Sequence, residues 1–230
     1  MIVVALVILF VNLGLWQLRR LDERREQNSA VRARSKVLTE LDASAWSSSA
    51  GEVADLEHRR IRLRGTFDTS REVLVRFQTR EAQPGYDVVT PLRTADGIAL
   101  VDRGWVPERL GDAWPAEEAK APPGEVEVIG LLATPDDTSP RMDATEGEPI
   151  VVSGVRPEEL AEALGVERVL PLYVKAVDSG EDRFPLADGE PDLSEGPHLN
   201  YAIQWFIFAT VVGAGWLVLL LRTARPRSRG

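Results

Sequence analysis

Residues 201–221 read YAIQWFIFATVVGAGWLVLLL, a run of 21 residues without one charged side chain. At about 1.5 Å per residue this run is roughly 31 Å long as a helix, which matches a hydrocarbon core of about 30 Å. Together with the polar residues just before it, residues 198–221 predict a transmembrane helix. Residues 1–18, MIVVALVILFVNLGLWQL, also lack charge and predict a first span.

A cleaved signal peptide is the alternative for residues 1–18. These residues lack a basic segment at their start and a small-residue cleavage site, so a retained span is favoured. No charged residue precedes the span, and we therefore expect the true start, with a basic flank, to lie upstream of Met1.

The charges divide the chain unevenly. All 36 acidic residues lie between the two spans, while four of the 27 basic residues lie in the tail, so the middle has 23 bases and a formal charge near −13. A domain this acidic is a poor nucleic-acid binder. Two spans place both tails on one side, and the Arg-only charges of residues 222–230 favour the cytoplasm, although the arginines at 19, 20, 24 and 25 argue the reverse.

Between the spans the sequence divides into three segments that differ in composition and periodicity. Residues 19–54 predict a charged juxtamembrane helix and a Ser-rich link. Residues 55–177 predict a β domain with about seven short strands and one helix at 157–164, because apolar and polar residues alternate and turn signals separate the runs. The expected fold is a small antiparallel barrel or sandwich. Residues 178–197, rich in acids, Pro and Gly, predict a tether.

Composition also excludes several chemistries. The chain has no Cys, so disulfides, iron–sulfur clusters, zinc knuckles and copper–thiolate sites are excluded. It lacks the nucleophile elbow, zinc-protease, P-loop and dinucleotide-binding motifs, so we predict a protein that is not an enzyme.

His198 is one of only two histidines, the other being His58, and it lies immediately before the second span. A neutral imidazole there can ligate haem iron or cap the helix. Helical spacing places Tyr201 and Trp205 on the same side, where they could flank a macrocycle or, alternatively, form an interfacial aromatic belt. Gln17 and Gln204 are predicted to pair the spans through their amides.

Arg103, Gly104 and Trp105 end a predicted strand. Arg and Trp often anchor interfaces, so these residues predict a docking edge for a partner. The alternative is a turn or bulge with Trp105 packed inward.

Five stretches of this sequence, in order, resemble the Surfeit locus protein one family. They are GLWQLRR, RGTFDTSREVLV, GYDVVTPL, LVDRGWVP and HLNYAIQWFIFA, and they extend from Gly14 to Ala209. Asp102 stands where an Asn is expected before Arg-Gly-Trp.

The resemblance implies a membrane-anchored assembly factor for cytochrome c oxidase, in a bacterial cell membrane, with both termini cytoplasmic and the central domain outside the cytoplasm. It implies a role in maturing the haem-bearing subunit I of an aa3-type oxidase, with subunit I and possibly haem a synthase as partners. Some bacterial members are associated with haem a binding through the histidine that opens the second span, the position of His198. The implied cofactor is haem a, bound transiently.

Two further functions stay open on the sequence. A haem-independent scaffold would hold oxidase subunits together, with Arg103 and Trp105 as its sensitive positions. An acidic extracytoplasmic sensor or hydrolase is disfavoured, because the chain has no catalytic constellation and no cytoplasmic output domain.

Overall fold

A computed structural model describes residues 1–137, 139–143, 149–178, 183–187, 191 and 193–224. The chain forms two compact units. One comprises residues 1–32 and the described part of 192–230, and the other comprises the described part of residues 33–191. Each unit is held together by its own internal contacts.

The described part of the chain contains four α-helices and nine strands. The helices are α1 (Ile2–Ser35), α2 (Glu108–Gly111), α3 (Pro157–Leu164) and α4 (His198–Ala224). The strands are β1 (Leu38–Thr39), β2 (Arg60–Phe67), β3 (Val73–Arg80), β4 (Gln83–Arg93), β5 (Ile98–Pro107), β6 (Glu125–Ala133), β7 (Met142–Asp143), β8 (Ile150–Val152) and β9 (Tyr173–Ala176).

The long helices α1 and α4 form the first unit, and both are long and apolar enough to cross a membrane. The predicted first span and the charged helix after it are one continuous helix, which ends at Ser35. No Pro or Gly interrupts residues 15–35, so the backbone has no reason to break where the side chains change from apolar to charged.

The second unit is built on one sheet with the order β1-β2-β6-β9-β5-β4-β3-β8-β7. A further antiparallel pairing joins β2 to β4 through Thr66–Arg93 and Phe67–Leu92. Strands β2, β6, β9, β5 and β4 therefore form a closed ring, as in a small five-stranded barrel. The predicted β domain with apolar helices before and after it is confirmed, and of the two predicted forms, a small barrel or a sandwich, the closed ring is the barrel.

Three details of the predicted fold are corrected. The sheet has nine strands rather than about seven, because β1 and β7 have two residues each, too few for an alternating pattern. Three pairs, β1–β2, β3–β8 and β5–β9, are parallel, so the barrel is not purely antiparallel. The unit has a second short helix, α2, in addition to the one predicted at 157–164.

Local sequence signals explain the elements that were predicted well. In β2, Ile61 and Leu63 are buried while Arg62 and Arg64 are exposed, which is the predicted alternation. Helix α3 has a Pro in its first turn, and Gly165, in the left-handed conformation, caps it directly after Leu164, so its bounds match the predicted 157–164.

Part of the predicted tether is packed against β5. The backbone N–H groups of Trp105 and Leu186 each donate to the other residue's carbonyl oxygen at 2.8 Å. The Phe184 ring lies 6.4 Å from that of Trp105, measured between centroids. Residues 183–187 thus add a short antiparallel bridge at the end of β5. Residues 179–182, 188–190 and 192 of this segment lie outside the described residues.

Candidate functional site

The two long helices pack antiparallel along a narrow face. On α1 one series of buried and half-buried positions recurs at alternating intervals of four and three residues, the repeat of a coiled-coil seam. This series consists of Val3, Val7, Phe10, Gly14, Gln17, Leu21, Arg24 and Asn28. On α4 the same repeat contains His198, Ala202, Trp205, Ala209 and Val212.

Aromatic rings and small residues fix the alignment of this seam. The Phe10 ring stacks on Trp205 at 5.7 Å between centroids, with 26° between the planes. Gly14 faces Phe206 so closely that an added Cβ atom would lie 2.7 Å from the ring. A glycine at this position therefore lets the helices approach, in agreement with the role of small residues in membrane helix pairs.

His198 lies at the point where the seam becomes polar. Its Nδ1 is 2.9 Å from Oε1 of Gln17 on α1. The amide oxygen can only accept, so this contact is a hydrogen bond when Nδ1 carries the proton, and in a neutral imidazole the lone pair is then on Nε2. Among the described residues, no protein group is hydrogen-bonded to Nε2.

The predicted pairing of the spans through glutamines holds for one of the two. Gln17 is 9% exposed and bonds across the helix pair, but its partner is His198. Gln204 is exposed, because the face of α4 that meets α1 contains positions 202, 205 and 209 instead.

Tyr201 and Trp205 differ in their surroundings. Tyr201 is exposed beside His198, which fits either a macrocycle contact or an interfacial aromatic residue. Trp205 is half-buried between Phe10, on which it stacks, and Phe208, which meets it edge-on at 5.8 Å. The structure thus brings Trp205 to the seam and leaves Tyr201 facing outward.

Polar side chains of α1 hold the chain that leads into α4. Asn28 donates to the carbonyl oxygens of Leu193 (2.7 Å) and Ser194 (3.2 Å). Arg25 forms a two-pronged ion pair with Glu195, each contact 2.9 Å long. These bonds place His198 in the wall of a polar cleft of about 300 Å³. The cleft is lined by Arg20, Glu23, Arg24, Gln27, Ser194, Glu195, Gly196 and His198.

The Arg103 side chain lies inside the β unit at the centre of a polar network. Its Nη2 donates to Glu72 at 2.6 Å, its Nε to Thr90 at 2.8 Å, and its Nη1 to the carbonyl oxygen of Ala119 at 2.9 Å. Glu72 also accepts from Thr90 (2.9 Å) and from Trp114 (3.2 Å). Burial lowers the pKa of Arg103, and the Glu72 carboxylate opposes this effect.

Two arrangements are predicted for residues 103–105, a docking edge and a turn or bulge with Trp105 packed inward, and the structure shows the inward packing. Arg103 and Trp105 are 7% and 5% exposed, and the inward packing of Trp105 is the arrangement found. Gly104 has a φ of 117°, and an added Cβ atom would lie 2.2 Å from the Leu186 carbonyl oxygen. Only glycine fits this strand end, because the returning chain packs directly on it. A partner role for these residues stays a prediction.

Three residues of this network have no local signal in the sequence, namely Glu72, Thr90 and Trp114. Their approach to Arg103 depends on the neighbouring strands β4 and β5, and on the segment after α2, all of which are brought together by the closed sheet. The run RGTFDTSREVLV contains Glu72, but nothing in its spacing marks that carboxylate as buried.

The donor set at His198 suits a metal that is already mostly coordinated. Across the described residues there is no group of three or more His, Cys, Asp or Glu that could hold a bare metal ion. A haem supplies four nitrogens from its macrocycle and needs only one or two axial ligands from protein. A single imidazole whose Nε2 has no hydrogen-bond partner among the described residues, beside an exposed Tyr, fits that requirement.

A closed β barrel with a long apolar helix before it and another after it, and one histidine at the polar end of the helix pair, fits a two-span membrane protein. The model of the SURF1 family matches residues 4–210, so the chain belongs to the SURF1 family. It is similar to human Surfeit locus protein 1, with 26% identity over 228 residues, covering 91% of this chain and 73% of that one.

Two other relatives have comparable similarity. A SURF1-like protein of Monosiga brevicollis is 25% identical over 230 residues, covering 90% of this chain and 82% of its own length. An uncharacterized SURF1-like protein of Mycobacterium tuberculosis is 25% identical over 247 residues, covering all of this chain and 85% of its own length.

Proposed function

We propose that this chain is a membrane-anchored assembly factor for an aa3-type cytochrome c oxidase and that it assists haem a insertion into, or maturation of, subunit I. The proposal rests on membership of the SURF1 family and on one observation. This observation is the pairing of Gln17 with His198 Nδ1, which directs the Nε2 lone pair away from the amide.

In this function haem a is cargo rather than a resident cofactor. His198 would hold its iron, and Tyr201 would lie against the macrocycle, with the half-buried Trp205 below it in the seam. Haem supplies the redox centre of the finished oxidase, while this chain binds and releases it. A single neutral histidine at the membrane edge is suited to releasing haem, because a second strong ligand from the same chain would hold the iron more tightly.

The remaining assignments follow from the same proposal. The β unit faces the outside of a bacterial cell membrane and contacts subunit I, or haem a synthase, while both termini are cytoplasmic. The protein is not an enzyme, since binding and transfer of haem need no bond to be made or broken within the macrocycle.

The haem-independent scaffold is the competing function. Its predicted sensitive residues, Arg103 and Trp105, lie inside the β unit, where they would affect a partner only through the stability of the fold. Haem binding through His198 distinguishes the two functions.

The test is an optical spectrum of the protein purified from membranes after co-expression with the enzymes of haem a synthesis. We expect a haem a spectrum for the wild type and for His58→Ala, the matched histidine control, and its loss in His198→Ala. Full haem occupancy in His198→Ala would show that this residue is not the ligand. No haem in any sample, with oxidase subunits still co-purifying, would support the scaffold.

A further inference from the structure

Gln17 is a polar residue in an otherwise apolar part of the α1 seam. The positions before it on the same face are Phe10 and Gly14, and the next is Leu21, which is 2% exposed. Burying an amide costs free energy unless its polar atoms are bonded, so a glutamine at this position needs a reason. Among the described residues, its one hydrogen bond across the helix pair is to His198.

The direction of this bond matters for metal binding. When the Gln17 oxygen accepts from Nδ1, the other ring nitrogen, Nε2, is the atom with a free lone pair. In the opposite tautomer Nε2 carries the proton and cannot ligate iron. Partners of this kind are known to fix the tautomer and orientation of histidine ligands and to raise their basicity.

We propose that Gln17 is a positioning residue that fixes the His198 tautomer so that Nε2 is ready to bind haem iron. The inference rests on the proposed function and extends it, because residues of both spans then contribute to the haem site. Phe10–Trp205 stacking and the close approach at Gly14 set the helix alignment that brings Gln17 to His198. Neither helix would form this site alone.

The first arm of the test does not involve haem. Histidine labelled with ¹⁵N is incorporated into the full chain in lipid nanodiscs, at a pH where imidazole is neutral. Only His58 and His198 contribute signals, and His198→Ala assigns them. We expect the wild-type His198 to show a protonated Nδ1 and an unprotonated Nε2.

The variants separate hydrogen bonding from packing. Gln17→Met keeps the length of the side chain but loses the amide, so we expect a shift of His198 toward the tautomer protonated on Nε2. Gln17→Glu keeps an oxygen acceptor and should retain the wild-type tautomer. Gln204→Met changes the exposed glutamine of α4 and should leave the signals unchanged. Wild-type protein protonated on Nε2, or a Gln17→Met spectrum identical to wild type, would overturn the inference.

The second arm measures haem affinity by optical titration of the same proteins with haem. Removing the group that is hydrogen-bonded to the other ring nitrogen of a metal-binding histidine typically weakens metal affinity 10- to 100-fold. We expect a loss of about this size in Gln17→Met. Gln17→Glu should bind within a few-fold of wild type. If Gln17→Met binds haem as tightly as wild type, the positioning role is refuted. Failure of the wild type to bind would instead refute the proposed function, while the tautomer signals still report on the Gln17 bond.

Discussion

Replacing Arg103 by Ala should destabilise the β unit severely, although the residue was predicted from sequence to dock a partner. The substitution removes three hydrogen bonds and leaves the Glu72 carboxylate, whose side chain is 6% exposed, without its counter-ion. Breaking a buried ion pair from one side costs about 3–5 kcal/mol. Such a loss is a large fraction of the roughly 5–15 kcal/mol that stabilises a typical domain.

Thermal unfolding of the full chain in nanodiscs, followed by near-UV circular dichroism, measures this loss. For a unit of this size each kcal/mol lowers Tm by about 2–4 °C, so Arg103→Ala should lower it by roughly 10 °C. The control is Arg64→Ala. That side chain is 70% exposed and pairs with Glu127, so its removal should change the free energy of unfolding by less than about 1 kcal/mol.

A double variant tests the electrostatic reason. Arg103→Met combined with Glu72→Leu removes both charges and fills their space with apolar atoms, so it should unfold at a higher temperature than Arg103→Ala. If Arg103→Ala lowers Tm no more than Arg64→Ala does, the buried network does not stabilise the fold. That result would favour the alternative prediction, that Arg103 docks a partner.

Three further predictions concern other positions. Burial opposes ionisation of Asp68, but hydrogen bonds from a neighbouring Ser and from an Arg of β4 outweigh it and lower its pKa to about 2. This carboxylate therefore contributes stability above its ordinary pKa near 4, and the contribution is lost as pH falls toward 2. Asp68→Asn should remove about 1–2 kcal/mol of that pH dependence in denaturation at a series of pH values. Gly14→Val should separate the helix pair, because its Cβ atom meets Phe206, and disulfide crosslinking between Cys pairs placed in the two helices should fall accordingly. Gly104→Ala should cost at least about 3 kcal/mol in thermal unfolding, whereas Gly124→Ala, also at positive φ but with open space around it, should cost about 1 kcal/mol; equal losses would mean that the close approach at Gly104 is not important.

The sequence predicted those features that depend on local patterns. Apolar runs identified both long helices, alternation identified β2, and a Pro and a Gly gave the limits of α3. Each of these signals lies within a few neighbouring residues and needs no knowledge of the partner element. His198 could be predicted as a site residue for the same reason, since its position next to an apolar run is visible in the sequence.

Features that depend on pairing between distant segments were missed or misplaced. The two-residue strands β1 and β7 exist only because a neighbouring strand is present. Arg103 was predicted to dock a partner because Arg often anchors interfaces, and nothing near it in sequence reveals Glu72, which is 31 positions away. Gln17 was predicted to bond across the spans, but its actual partner follows from helix alignment, which depends on how the side chains fit.

The haem a content of the oxidase itself tests the proposed function most directly. Cells lacking their own family member would be supplied with the wild-type chain, His198→Ala or the His58→Ala control, and haem a would be measured per subunit I in the purified oxidase. We predict a full content with wild type and His58→Ala and a marked deficit with His198→Ala, at equal levels of each chain in the membrane. A full haem a content with His198→Ala would contradict the proposal that this histidine delivers haem a to subunit I.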